Sequence, residues 1–203
     1  MKQSLFLIAI FLPAAANSQQ EAPPLRYDYV GASLAVPELD EIGIDFEGST
    51  AVADRLVVFG RYFSFEPNSD VDYQSIQIGV GRIWHIRRNI DFVGSLAYAS
   101  NEVDTPGRQG VEEEGIIVGA QLRGWATPRL ELSGAAMLDN SRGSSTDTVL
   151  ELGVQFLTEP RLSYGGRIRI DEDDSTIFVG LRFYFGASRR PIGQQTGSEP
   201  LRE

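Results

Sequence analysis

The feature that most constrains this chain is a strict alternation of apolar residues with small or polar ones. Between Leu162 and Ile170, every second residue is aliphatic, aromatic or glycine, and Arg167 and Arg169 lie in the intervening positions. Because successive side chains of an extended strand point to opposite faces, this period of two predicts a strand with one apolar and one polar face. The pattern recurs at 25–36, 42–52, 56–65, 73–84, 90–100, 115–125, 130–138, 148–157, 162–170 and 176–185.

These segments have about the length of 9–11 residues that a tilted strand needs to cross a bilayer. No apolar run in this part of the chain approaches the ~20 residues of a membrane-spanning helix. The sequence therefore predicts an all-β protein, a single up-and-down antiparallel transmembrane β-barrel over residues 25–185. We expect about ten strands, with about eight as the fallback.

The two ends of the chain have a different composition. Lys2, an apolar run over residues 5–12, and Pro13 followed by small residues are typical of a Sec signal peptide, which we place at residues 1–18. Residues 19–24 and 186–203 are rich in Pro, Gly, Gln and Ser, and this composition predicts disordered segments.

The connections between the predicted strands alternate between two kinds. Short, basic connections lie at 53–55, 85–89, 127–129 and 158–161. The longer connections are acidic and contain Glu38, Asp40, Glu41, Glu66, Asp70, Asp72, Glu102, Asp104, Glu112, Glu113, Glu114, Asp139, Asp147, and the acidic run at 171–174. Short periplasmic turns and longer external loops are typical of outer-membrane barrels. We therefore expect the basic turns and both termini in the periplasm and the acidic loops outside.

Residue size predicts which face of each strand is inside. The polar face carries many Gly, Ala and Ser residues, which suit a crowded lumen, whereas the other face is dominated by Leu, Ile, Val and Phe, which suit lipid. Aromatic residues near the strand ends, Tyr27 and Tyr29 among them, are predicted to form interfacial girdles. The charges predicted inside form a luminal network of Asp28, Asp45, Glu47, Arg61, Asp91, Arg123, Glu131, Glu151, Arg167, Arg169 and Arg182. A structural plug of paired charges is favoured over a gated pore.

The motifs of enzymes and of metal sites are missing. His85 is the only histidine, and its position in a basic turn predicts an interfacial residue. There is no G-x-S-x-G or P-loop motif, and the acidic runs at 112–114 and 171–174 lack EF-hand spacing. The net charge of −10 disfavours nucleic acid as a partner. We expect no enzymatic activity, no cofactor and no bound metal.

Several short phrases resemble a known family. Residues 25–30, with Tyr27 and Tyr29, Val58-Phe59-Gly60, Gly79-Val80-Gly81 and the closing 178–183 are similar to small outer-membrane barrels of the OmpA/OmpX-like superfamily. They are most similar to a short-barrel family whose members are sometimes called diffusible quorum-factor precursors. The resemblance implies outer-membrane residence and a role in surface integrity or envelope interaction, with no catalytic residue to carry over. One departure is that residues 186–203 follow Phe185, where such barrels usually end.

The predicted function is accordingly a structural or surface-interaction barrel in the outer membrane of a diderm bacterium, reached by Sec export. Its expected partners are outer-membrane lipid, lipopolysaccharide and the outer-membrane assembly machinery, and we expect a monomer. Two alternatives stay open: a narrow gated channel for small solutes, and a soluble periplasmic barrel that carries a lipophilic ligand with its apolar face inward.

Overall fold

The structure, a computed structural model, describes residues 24–37, 42–65, 72–104, 110–141, 145–171 and 174–186. The predicted signal peptide, residues 19–23 and the tail after Gly186 lie outside the described residues, as do parts of the acidic connections. In the described part of the chain, no helix has the length and apolarity needed to cross a membrane.

Ten strands form a closed antiparallel barrel. Each strand pairs with its neighbours in the sequence, and β1 pairs with β10, which closes the sheet and leaves no long free edge. This arrangement confirms the predicted up-and-down barrel. The strands are β1 Tyr29–Pro37, β2 Gly43–Ala53, β3 Leu56–Phe65, β4 Asp72–Arg87, β5 Ile90–Asp104, β6 Val111–Thr127, β7 Leu130–Asp139, β8 Asp147–Glu159, β9 Leu162–Ile170 and β10 Ser175–Tyr184.

The barrel has two unlike ends. At one, which we call the turn end, residue pairs 54–55, 88–89, 128–129 and 160–161 connect the strands in tight turns. The longer connections lie at the opposite end, the loop end. The chain enters β1 and leaves β10 at the turn end, because the number of strands is even.

The largest differences from the predicted strand bounds are at the start of β1 and at the ends of β4, β5 and β6. Residues 25–28 continue the alternation of β1 but form no strand, so β1 begins at Tyr29. β4, β5 and β6 are longer than predicted, with 16, 15 and 17 residues. Glu102 and Asp104 therefore lie in β5, and residues 112–114 lie in β6 rather than in a loop. His85 is likewise in β4 and not in a turn.

The alternation puts the aliphatic side chains outside. Val179 is 63% exposed and Ile78 is 61% exposed, whereas Ala35 and Ala99 on the opposite faces are fully buried. The barrel is therefore apolar on its outer surface, which is the reverse of a soluble barrel with an apolar interior. The predicted aromatic girdle at the membrane interface is wrong for Tyr27 and Tyr29, which lie inside the barrel. Tyr27 is buried at the turn end, and the centre of the Tyr29 ring lies 4.6 Å from the guanidinium carbon of Arg182.

Candidate functional site

A chain of ion pairs crosses the middle of the lumen, and we call it the central network. Arg182 Nε donates to Glu47 Oε1 at 2.6 Å, and Arg167 Nη1 donates to Glu47 Oε2 at 2.8 Å. Arg167 also donates to Asp45, which accepts a second hydrogen bond from Arg61 Nε at 2.5 Å. Glu151 lies on the far side, with its Oε2 3.5 Å from Arg61 Nη1. Three arginines thus meet three carboxylates.

The strand register explains how residues so far apart in sequence meet. Glu47 of β2 and Arg182 of β10 both lie opposite Gly31 of β1. A Cβ atom at Gly31 would be 3.0 Å from Glu47 Cγ and 3.2 Å from Arg182 Cγ, so only glycine leaves this space free. Arg61 lies directly opposite Glu47 on the other side, in β3. The pairing of β10, β1, β2 and β3 therefore brings Arg182, Glu47 and Arg61 together, and Arg167 and Glu151 join them from β9 and β8.

Aromatic rings support the arginines of the central network. The guanidinium carbons of Arg167 and Arg61 lie 4.3 Å and 4.8 Å from the centre of the Phe178 ring. Phe178 is only 2% exposed and lies directly opposite Arg167 in the pairing of β9 and β10. A guanidinium on a ring face gains cation–π attraction and loses little hydration, which suits arginine better than lysine. This is consistent with a chain in which Lys2 is the only lysine.

A second group of contacts lies at the turn end, and we call it the turn-end network. Asp91 accepts a hydrogen bond from the Tyr27 hydroxyl at 2.9 Å, and its other oxygen lies 2.8 Å from His85 Nδ1. Arg123 pairs with Glu131 at 2.8 Å, and its guanidinium carbon lies 4.7 Å from the centre of the Tyr27 ring. Burial and, to a smaller extent, the charge of Asp91 raise the pKa of Tyr27 above its usual range. Tyr27 therefore stays a hydrogen-bond donor.

The N-terminal segment, residues 24–28, holds Tyr27 in place. The Tyr27 ring packs with Val57, Ile83 and Val93 inside the turn end, and Leu25 packs against this cluster. Asp28 accepts hydrogen bonds from Ala51 N at 2.9 Å and Thr50 Oγ1 at 2.8 Å, and its carbonyl accepts one from Phe185 N. The Arg26 carbonyl accepts a hydrogen bond from Arg123 Nη2 of β6 at 3.3 Å, so the segment crosses the turn end of the lumen.

A third group lies at the loop end. Asp139, which is 1% exposed, accepts hydrogen bonds from Ser141 N at 2.9 Å and Ser141 Oγ at 2.6 Å. Arg169 Nη2 lies 3.5 Å from the second oxygen of Asp139. Asn101 donates to the Ser141 carbonyl at 2.8 Å. These contacts tie the start of the β7–β8 connection to the inner walls of β5 and β9.

The predicted luminal residues fall into four places. The central network holds Asp45, Glu47, Arg61, Glu151, Arg167 and Arg182; the turn-end network holds Asp91, Arg123 and Glu131; Arg169 lies at the loop end; and Asp28 lies with the N-terminal segment. The interpretation of His85 as only interfacial omitted its contact with Asp91. Asp139 and Tyr27 were not among the predicted luminal residues. Asp139 continues the alternation of inward-facing residues in β7, which is the pattern that would have identified it, whereas Tyr27 precedes the first residue of β1.

In the described part of the chain, the charged side chains of the lumen are largely paired with one another. Within the described ranges, no group of three or more His, Cys, Asp or Glu side chains could hold a metal ion. Two buried polar atoms at the turn end, Trp125 Nε1 and Glu131 Oε2, have no hydrogen-bond partner in the described structure, and their residues lie directly opposite each other.

Fold and lumen together define a class: a closed ten-stranded up-and-down β-barrel with an apolar exterior and charged side chains inside. No family model matches the chain, and no curated protein matches it either. Among solved structures, the chain is similar to the KdgM porin, with a TM-score of 0.49 and 6% identity over 78% of this chain and 99% of that one. It is also similar to Ail of Yersinia pestis, with a TM-score of 0.41 and 11% identity over 79% and 100% of the two chains. Omp33 of Acinetobacter baumannii gives a TM-score of 0.41 and 12% identity over 79% and 99%.

Proposed function

We propose that this chain is an outer-membrane β-barrel of a diderm bacterium with a structural or surface-interaction role and a closed lumen. The observation that carries the proposal is the central network, which fills the middle of a barrel whose outer wall is apolar. An enzymatic role is not part of the proposal. The resemblance to the OmpA/OmpX-like superfamily stays a prediction.

The outer wall supports membrane residence. Most of the large aliphatic residues on this wall are exposed, which would be unfavourable in water. Large exposed apolar patches are rare on soluble monomers. Aromatic pairs lie near the turn end, with Trp84 and Phe92 at 5.4 Å and Phe156 and Tyr164 also at 5.4 Å between ring centres. Such rings favour the membrane interface. The exposed acidic residues of β5 and β6 lie beyond the apolar zone on the loop end, which supports loops that face the medium.

The interior supports closure. About eight strands leave room only for side chains, and open aqueous channels occur at about sixteen. In a barrel of ten strands, the side chains of Arg61, Arg167 and Arg182 extend across the lumen and leave little open cross-section for solutes. Tyr27 and the rest of the N-terminal segment cover the turn end. We therefore favour a barrel that acts through its outer surface and loops, with lipopolysaccharide and the assembly machinery as partners and a monomeric state.

Topology and membrane residence are tested together. The same protease recognition peptide is inserted into the β5–β6 connection in one variant and between Arg88 and Asn89 in a second. Both variants should be recovered in the outer membrane and migrate faster on an unboiled gel. Protease added to intact cells should cut only the first variant, and protease added to lysed cells should cut both. Recovery in the soluble periplasm, or cleavage of only the second variant in intact cells, would overturn the proposal.

A gated channel is the second candidate, and one observation favours it. Glu151 is bound to the central network only by long ion pairs, because its Oε2 lies 3.5 Å from Arg61 Nη1 and 3.6 Å from Arg167 Nε. A displacement of Glu151 would open one side of the lumen. Planar-bilayer recording separates the candidates: conductance steps in wild type support a gated channel, and silence in wild type supports the closed barrel. Silence in both wild type and Arg182→Ala would rule out a channel gated by the central network.

A further inference from the structure

The outer surface of β3–β6 contains a groove, which we call the outer groove. Its volume is about 360 Å³ and its walls are almost wholly apolar; they comprise Val58, Ile78, Gly79, Val80, Leu96, Ala97, Tyr98 and Ile116. Gly60 lies opposite Ile78 of the groove wall, and an added Cβ there would meet only one atom, Gln77 O at 3.5 Å. The outer groove is therefore an open, apolar depression in the outer wall of these strands.

An arginine lies at the turn-end border of the outer groove. Ile78, Val80, Arg82 and Trp84 follow one another on the outer face of β4, so Arg82 comes directly after two residues of the groove wall. Arg82 is exposed, and among the described residues no carboxylate lies within ion-pair distance of it. A charged group without a partner on an apolar wall is unfavourable unless an anion from the surroundings meets it.

Trp84 gives this arginine a fixed neighbour. Its ring centre lies 5.5 Å from the Arg82 guanidinium carbon, and its ring packs against Phe92. The indole extends over Gly94, where a Cβ atom would come within 3.0 Å of it. Gly94 also lies directly opposite Arg82 in the pairing of β4 and β5. The missing side chain at Gly94 thus lets Trp84 lie flat beside the guanidinium.

Arg82 is at the level of the membrane surface if the barrel sits in a bilayer as proposed above. It lies opposite Leu56, the first residue of β3, and the adjacent Ile83 N donates to the carbonyl of Arg55 in the β2–β3 turn at 2.9 Å. Arg87 lies at the end of the same strand. The turn end at this side of the barrel is therefore basic and the groove above it apolar.

We propose that Arg82, Trp84 and the outer groove bind one glycerophospholipid of the periplasmic leaflet. The phosphate lies on the Arg82 guanidinium, whose planar donors match phosphate oxygens, and one acyl chain lies in the outer groove. A second copy of this chain is a poorer occupant, because a two-fold contact through this face would bring two Arg82 side chains together with no described carboxylate to separate them. The inference rests on the proposed membrane residence.

Native mass spectrometry of the detergent-purified, full-length barrel tests the site. The barrel is mixed with phosphatidylethanolamine or with diacylglycerol of the same acyl chains, and the fraction that retains one lipid is measured. Wild type should retain phosphatidylethanolamine and release diacylglycerol. Arg82→Gln should lower the retained fraction about tenfold, since it removes charge-assisted hydrogen bonds. The matched control Arg129→Gln removes an exposed arginine from the β6–β7 turn at the same end of the barrel, away from the outer groove, and should retain lipid as wild type does.

A second variant tests the groove without touching the arginine. Leu96→Trp fills the outer groove from an exposed position and should also lower retention. Faster migration on an unboiled gel shows that each variant is folded. Equal retention of diacylglycerol and phosphatidylethanolamine, or equal retention by Arg82→Gln and Arg129→Gln, would overturn the inference. Neither result touches the proposed function, which fails only if the barrel is not recovered in the outer membrane.

Discussion

Glu47 and Arg182 meet across Gly31, at a distance of 2.6 Å between Glu47 Oε1 and Arg182 Nε, although 135 residues separate them in the sequence. The contact depends on the closure of the barrel, because β1 carries Gly31 and pairs with β2 on one side and β10 on the other. The pair is thus a direct consequence of joining the first strand to the last. The ion pair therefore links β2 to β10 across β1 on the inner face, next to the β1–β10 pairing that closes the barrel, which we call the seam.

Filling the space at Gly31 should weaken this seam. Gly31→Val places methyl groups where Glu47 and Arg182 approach each other, and overpacking of this kind costs about 1–3 kcal/mol. We expect a lower urea midpoint for the loss of the heat-modifiable band. Gly48→Val is the matched control, because a Cβ there meets nothing closer than 3.9 Å. Equal midpoints for the two variants would contradict the role assigned to Gly31.

Removing one arginine of the central network should be costly, and this loss should not add fully to the loss from removing a carboxylate that it pairs with. Arg167→Gln leaves Asp45 and Glu47 with fewer positive neighbours, and breaking a buried ion pair by one partner costs about 3–5 kcal/mol. Asp45→Asn combined with Arg167→Gln should lose less than the sum of the single losses. Additive losses of unfolding free energy in this double-mutant cycle would show that the two side chains are not coupled.

The strands could be predicted because alternation is a local property. β3 and β9 have the predicted bounds, and the aliphatic face lies outside as residue size indicated. The ends of β5 and β6 could not be predicted in the same way, because charges such as those of Glu102 and Glu112 are typical of a loop. In the structure the two residues lie directly opposite each other in a sheet that continues beyond the apolar zone, where water tolerates charge on a strand.

The pairings in the lumen could not be predicted, because they depend on register. The alternation of side chains along each strand places Glu47, Arg167 and Arg182 on the inner face, but it does not predict which of these side chains contact one another. The position of Tyr27 was missed for a related reason. Residues 25–28 keep the period of two, but β10 ends at Tyr184, which pairs with Tyr29, so the residues before Tyr29 have no strand partner and cross the turn end instead.

The cover formed by Tyr27 can be tested with a cysteine reporter, since the chain contains no cysteine. Val57, which is 3% exposed and packs against Tyr27, is changed to Cys. In the Val57→Cys background, a water-soluble maleimide should react slowly with folded barrel, and adding Tyr27→Ala should make the reaction at least about tenfold faster because the ring no longer blocks access. Tyr27→Phe keeps the ring and is the control. Fast labelling with Tyr27 present would mean that the N-terminal segment does not cover the lumen.

Asp139 and Asp147 offer a test of the loop end with a matched pair of carboxylates. They lie directly opposite each other in the pairing of β7 and β8, but Asp139 is buried, whereas Asp147 is partly exposed. Asp139→Ala removes an acceptor that both Ser141 N and Arg169 contact. We expect the free energy of unfolding to fall by about 1–3 kcal/mol. Asp147→Ala removes one of two like charges that face each other across the strands, so it should leave stability unchanged or raise it by a few tenths of a kcal/mol. Urea unfolding followed on unboiled gels measures both, and a larger loss for Asp147→Ala than for Asp139→Ala would contradict the structural role of the Asp139–Ser141 contact.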